Sequence, residues 1–169
     1  MKSFKTPIGF ALLFLSTGCE SVARYQPAKV KAPASVQVQD NHKVIFDDVT
    51  MRFSLRRLDT KLLLDLKMEN FGDETATMSM QDIVLTDDDK KLLILSKAGH
   101  YSNNGDYAAL MQVKEKVNVK AGETTRLVYT FEVPQEKADV TKGFNLKGHI
   151  TKGQKTIPLS VSFADSNIQ

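Results

Sequence analysis

From Val49 onward apolar and polar residues alternate with a period of two, a pattern that a helix with 3.6 residues per turn cannot bury on one face. Val49, Met51, Phe53 and Leu55 alternate with Thr50, Arg52, Ser54 and Arg56, and after a turn at Asp59-Thr60 the residues Leu62, Leu64, Leu66 and Met68 repeat the pattern. Each run reads as a strand with one buried and one wet face, and the two together as a hairpin. Asn70-Phe71-Gly72-Asp73-Glu74 supplies turn chemistry, since Asn and Gly accept positive φ and Asp bonds its own backbone. The stretch 75–86, with Ala76, Met78 and Met80 before Ile83-Val84-Leu85, continues the series, Asp87-Asp88-Asp89 turns the chain, and Leu92 to Leu95 is a short apolar run. A polar stretch, 96–107, interrupts the rhythm and reads as a long loop. Strand pattern resumes over 111–119, turns at Ala121-Gly122-Glu123-Thr124, and continues through Leu127, Tyr129, Phe131 and Val133 to Pro134. After a helical turn or loop over 135–142, Phe144, Leu146, Gly148 and Ile150 alternate, Lys152-Gly153 turns, and Ile157, Leu159, Val161 and Phe163 alternate again. Short strands at this spacing indicate an all-β, antiparallel sandwich of about seven to nine strands, expected over 43–165 with a tail at 166–169. Pro158 suits an edge or the start of a strand.

The N-terminus obeys different rules. Lys2 and Lys5 precede an uncharged apolar run, Ile8 to Leu15, followed by Ser16-Thr17-Gly18 and the single cysteine, Cys19. That is the layout of a secretory signal, too short for a spanning helix, which needs about 20 apolar residues. An exported chain with one Cys makes no internal disulfide, so an acylated Cys is the economical reading. Residues 20–40, with Pro27 and Pro33 among Ala, Val and Gln, show neither a helical nor a strand period. They read as an extended linker, giving an organisation of signal peptide 1–18, acylated Cys and flexible linker 19–42, then the sandwich.

Charge narrows the function classes. The net charge is +3, but five of the 23 Lys and Arg and two of the 20 Asp and Glu precede His42, which leaves 18 of each in the remainder. A formally neutral domain excludes nucleic-acid binding by bulk charge. No G-x-S-x-G elbow, phosphate-binding Walker loop, H-E-x-x-H or paired-Cys metal spacing occurs, so no enzyme activity is expected and no cofactor beyond a covalent lipid. His42, His100 and His149 lie far apart without ligand spacing. Asp87, Asp88 and Asp89 offer carboxylates to a hard cation, with Asp47 and Asp48 as further ligands if the fold brings them near. An EF-hand counted from Asp87 fails, because its sixth and twelfth places hold Leu92 and Ala98, and a solvated turn is the better reading. His100, Tyr101, Asn103, Asn104, Asp106 and Tyr107 combine two aromatic rings with small polar groups, the composition of a binding loop. Lys142, Lys147, Lys152 and Lys155 gather near the last hairpin, either to meet phosphates or carboxylates or to guard an edge strand.

Two resemblances follow from these residues. Leu15-Ser16-Thr17-Gly18-Cys19 resembles the lipobox of bacterial lipoproteins, with Ser16 where that motif usually has Leu. It implies diacylglycerol and an N-acyl chain on Cys19, and Glu20 after the Cys implies sorting to the outer membrane, facing the periplasm. Asn70 to Glu74, the Asp87 to Asp89 corner, and Ala121 to Thr124 leading into Phe131-Glu132-Val133-Pro134 resemble the telokin-like, immunoglobulin-fold domain of small bacterial lipoproteins and secreted proteins. A plant-desiccation type of immunoglobulin-like domain is the alternative. The resemblance implies an immunoglobulin-like sandwich and lends no catalytic residues. A lipid-anchored envelope protein that binds another protein, as an accessory of an envelope assembly, is the expected function; a free-standing binder of a small ligand or Ca²⁺ is the other expectation.

Overall fold

Each alternating run is a strand with its apolar residues on the covered side. The computed structural model describes residues 23–31, 33, 36–39, 43–79, 82–101, 107–109, 116–134 and 143–166. Thirteen strands occur among them: β1 Ala23–Lys31, β2 Val36–Gln39, β3 Lys43–Phe46, β4 Val49–Leu58, β5 Lys61–Asn70, β6 Ala76–Ser79, β7 Val84–Asp87, β8 Ile94–Tyr101, β9 Tyr107–Ala109, β10 Lys116–Val119, β11 Thr124–Glu132, β12 Gly143–Lys152 and β13 Lys155–Asp165. All paired strands are antiparallel. The strands exceed the expected seven to nine because short pieces such as β2, β3, β7 and β9 carry too few residues to register as periodic runs.

Hydrogen bonding links the strands in the order β10-β6-β12-β13-β1-β4-β5-β11-β8-β9, with β3 pairing β2 and β4, and β7 pairing β12. The ladder folds into two layers of a β-sandwich. The first contains β3, β4, β5, β11, β8 and β9; the second contains β10, β6, β7, β12 and β13; β1 belongs to both. Its first residues, Ala23 to Tyr25, run along Arg57 to Leu55 of β4, whereas Tyr25 to Lys31 run along Asp165 to Ser160 of β13. Between Pro27 and Lys29 the register slips. An irregularity of this kind bends a strand and tolerates a residue without an N–H, so Pro27 sits where it costs the ladder least. Pro158 obeys the same logic: it lies on β13 beyond Ser160, where the pairing with β1 ends.

The layers meet in one apolar core of Leu, Val, Phe and Met. Tyr25 of β1 packs edge-on against Phe144 of β12, ring centroids 4.9 Å apart. Tyr129 of β11 spans the layers to Met78 of β6, its hydroxyl 3.8 Å from the sulfur. Burial of that phenol raises its pKa far above the ordinary value. At one end, Asn70, 1% exposed, ties three connections together: its Nδ2 donates to the carbonyls of Glu74 and Val119, and its Oδ1 accepts from Gly72 N. The turn after β10 closes on the same residue through Gly122, whose φ of 73° suits glycine.

Residues 23–31 and 36–39, placed in a flexible 19–42 linker, are strands of the sandwich, which therefore begins at Ala23 and not at Lys43. The irregularity in β1 breaks its alternation: Tyr25 and Pro27 are buried, but the next covered position is Val30, three residues on. Within the expected loop 96–107, residues 96–101 belong to β8, paired along β11. The inward positions there are the small Ala98, facing the large Tyr129 across the ladder, and the polar His100, facing Leu127, so the strand lacks an apolar signature.

Candidate functional site

Cys19, Asn103, Asn104 and Asp106 lie outside the described residues, as do His42 and Lys142. The remaining candidates separate into four places on the sandwich.

His100, Tyr101 and Tyr107 fall on the β8–β9 hairpin, where Tyr101 pairs with Tyr107. The Tyr101 carbonyl accepts a hydrogen bond from Thr125 Oγ1 at 2.9 Å, and the Arg126 guanidinium lies over its ring, 5.6 Å from the centroid. Asp65 holds that guanidinium, with Nε 2.8 Å from each carboxylate oxygen, and this hydrogen bonding raises the Arg126 pKa. Tyr101 is thus packed into the outer face of the first layer by a cation that already has its anion. His100 Nδ1 is buried and has no hydrogen-bond partner among the described residues.

The three aspartates of the 87–89 corner build a turn. Asp87 Oδ1 accepts from Lys91 N at 2.8 Å, its backbone N–H donates to Lys91 O, and its carbonyl accepts from Lys90 N; Lys90 has φ of 63°. Asp88 Oδ2 accepts from Gly143 N at 2.9 Å and so fixes the start of β12. Asp47 and Asp48 are not brought to this corner: they sit at the other end of β12, with Lys155 and Lys152. No group of three His, Cys, Asp or Glu positioned for a metal occurs among the described residues.

The lysines near the last hairpin divide. Lys152 is the fifth inward position of β12, 6% exposed, and its ammonium bonds Asp48. That hydrogen bond lowers the Asp48 pKa below the ordinary aspartate range and raises that of Lys152. Lys155 Nζ lies 3.4 Å from Asp47 on the surface. Lys147 instead points outward from the middle of β12.

Around Lys147 lies a groove of about 400 Å³ lined by Lys31, Pro33, Lys147, Gly148, His149, Pro158, Leu159 and Ser160. Register explains how it forms. Lys147 of β12 stands opposite Ser160 of β13, which stands opposite Lys31 of β1, so three side chains share one row across three strands. In the next row His149 stands opposite Pro158, and beyond the end of β1 the place of a third strand is taken by Pro33. The inward partners Gly148 and Leu159 contribute the floor. Two of these eight residues were invisible from the sequence as part of a site, because Lys31 and Pro33 fall in the stretch that reads as linker. A second hollow, about 230 Å³, opens where β1 peels away from β4, between Arg24 to Pro27 and Phe53 to Arg56.

No family model and no curated protein matches the chain. Solved structures with some likeness to it include the yjhA protein from Bacillus subtilis, 11% identical over 60% of this chain and 72% of that one, with a TM-score of 0.38. The GAE domain of yeast GGA1 is 11% identical over 76% of this chain and 96% of that one, with a TM-score of 0.32. An uncharacterized β-sandwich protein from Clostridium difficile 630 is 11% identical over 69% and 87%, with a TM-score of 0.30. None of the three assigns a function.

Proposed function

We propose that this chain is a lipid-anchored bacterial envelope protein whose β-sandwich acts as a non-enzymatic binding module, an accessory of a larger envelope assembly. The kinship with telokin-like, immunoglobulin-fold domains belongs to the same reading. The observation that carries it is the leader: two lysines, an apolar run, small residues and a lone Cys19, four residues before the first strand at Ala23. An acylated Cys19 holds more than one chain, and about 0.8 kcal/mol per buried methylene makes such anchoring stable where a single chain is marginal. Four residues span at most about 13 Å, so the sandwich stands close to the membrane with its Ala23 end toward it. At that end lie the Asp59-Thr60 turn and the exposed Leu92 and Ile94. Outer membrane and periplasm are the proposed location.

The test is Cys19→Ala in cells fed radioactive palmitate, followed by cross-linking and affinity capture of the tagged chain. Loss of label, release from the membrane fraction and loss of a reproducible set of captured envelope proteins are expected. Unchanged labelling refutes the anchor; an empty capture with the acylated wild type refutes the accessory role.

A further inference from the structure

We infer that the groove over the outer face of β12, β13 and β1 is a binding site for a phosphate-bearing molecule, held by Lys31, Lys147, His149 and Ser160. The row Lys147–Ser160–Lys31 sets two ammonium groups on either side of one hydroxyl. Adjacent strands lie about 4.8 Å apart, so the two lysine Cα atoms are separated by about 10 Å, a gap that two long lysine side chains can bridge from both sides around an anion above Ser160. His149 adds a ring nitrogen from the neighbouring row, and the row on the other side, Asn145–Ser162–Lys29, brings a third lysine. None of the three rows contains an Asp or Glu, and among the described residues Lys31, Lys147 and His149 have no ion-pair partner.

Edge protection fits Lys29 and Lys31, because past Tyr25 β1 has no strand on its far side among the described residues, but it does not explain Lys147. β12 carries β13 on one side and β7 on the other, with Lys147 itself opposite Val84, and β13 separates it from β1. Like charges placed on one face without an intervening anion disfavour each other, and an anion bound between them reverses the sign. Two ammoniums, a hydroxyl and an imidazole match the several oxygens and double charge of a phosphate better than the two oxygens of a carboxylate. Pro33 and Pro158 give the groove apolar walls, and its volume falls in the range of small-molecule sites, so the phosphate is expected on an organic body. The phosphate group is shared by two sources, a soluble phosphorylated compound and a phospholipid headgroup. Lys31 lies eight residues along β1 from Ala23, roughly 26 Å from the end that faces the membrane on the anchored reading, which favours the soluble source. The site itself does not depend on that reading.

The experiment is calorimetric titration of the full-length chain, in a non-ionic detergent, with inorganic phosphate and with glycerol 3-phosphate, beside co-sedimentation with phosphatidylcholine vesicles with and without phosphatidylglycerol. Glycerol 3-phosphate is expected to bind more tightly than inorganic phosphate, with binding weakened at least about tenfold in the Lys31→Ala, Lys147→Ala double variant. The outer-face control Lys97→Ala should leave it unchanged, and melting temperatures of all variants, recorded in parallel, should stay near wild type. Co-sedimentation with phosphatidylglycerol vesicles alone, lost in the double variant, supports the same phosphate site with the headgroup as its source. Binding to none of the probes, or equal binding by wild type and double variant, overturns the proposal.

Discussion

The outer faces of the two layers are built from the same kind of alternating strand, yet they differ in how much of their charge is met by ion pairs. On the first layer Arg126 sits between Asp65 and the Tyr101 ring, and Lys67 bonds Glu69 at 2.5 Å, so two cations are matched on the sheet itself, while Arg52 and Arg56 have no ion-pair partner among the described residues. On the second layer the rows through Lys31, Lys147 and Lys29 hold Ser, Asn, His and Pro and no carboxylate. From Ala23 on the domain carries 21 Lys and Arg against 19 Asp and Glu, a net of only +2, so this difference is largely one of arrangement. A surface that neutralises its own charges is finished by folding, whereas one that leaves them unmatched is completed by something it binds. The inner charge of the second layer makes the same point from the other side: Lys152, the one buried lysine among the described residues, is met by Asp48.

The joint between the layers carries the largest expected effect. Tyr25→Ala removes the buried ring that packs on Phe144 where β1 passes from β4 to β13, and a loss of about 3–5 kcal/mol in urea unfolding is expected. A loss under about 1 kcal/mol would mean that β1 is an appendage and that the face it completes is not part of the folded domain.

Next in size is the charge that folding buries. Asp48→Asn leaves the Lys152 ammonium with a neutral acceptor and should cost about 2 kcal/mol, less than a fully buried pair because Asp48 is 37% exposed. Its pH dependence has a definite sign. The folded Asp48 carboxyl titrates below its ordinary value, so its contribution is complete above about pH 5 and disappears as the pH falls through the folded pKa. The raised Lys152 pKa puts the other limit above the ordinary lysine range, where the contribution fades as pH rises. The gap between wild type and variant should therefore be flat across neutral pH and close in acid; a gap that persists in strong acid would assign the cost to packing.

A smaller effect sharpens the view of the first layer. A double-mutant cycle on Asp65→Ala and Arg126→Ala should give a coupling of about 0.5–1 kcal/mol, reduced by salt, as befits a pair that is half exposed on the arginine side. Smallest is the second layer: Lys31→Ala with Lys147→Ala should change stability by less than about 0.5 kcal/mol, because neither side chain is buried or paired among the described residues. A large destabilisation would show that these lysines serve the fold rather than a ligand.

What the sequence disclosed follows the same division. Strands whose inward positions are large and evenly spaced were legible, β4, β5, β11, β12 and β13 among them: Val49 to Leu55, Leu62 to Met68, Leu127 to Val133, Phe144 to Ile150 and Ile157 to Phe163 are buried as the alternation requires. β1 was hidden because its irregularity shifts the phase after Pro27, and β8 because the small Ala98 and the polar His100 occupy its covered side. Within the Lys142 to Lys155 group the sequence could not separate Lys152 from Lys147, since the alternation that turns one inward and the other outward is only as good as the register. The groove was out of reach for a further reason. It joins residues more than a hundred positions apart, Lys31 to Lys147 and Ser160, through a strand order that no local period encodes.

The most direct measurement is a ¹H–¹⁵N NMR titration of the isotope-labelled full-length chain with glycerol 3-phosphate, which reads both outer faces in one experiment. Saturable shifts are expected at Lys31, Lys147, His149 and Ser160, with Arg52, Lys67, Lys97 and Arg126 unmoved. Shifts spread equally over both faces, or none on the second layer, would contradict the phosphate site.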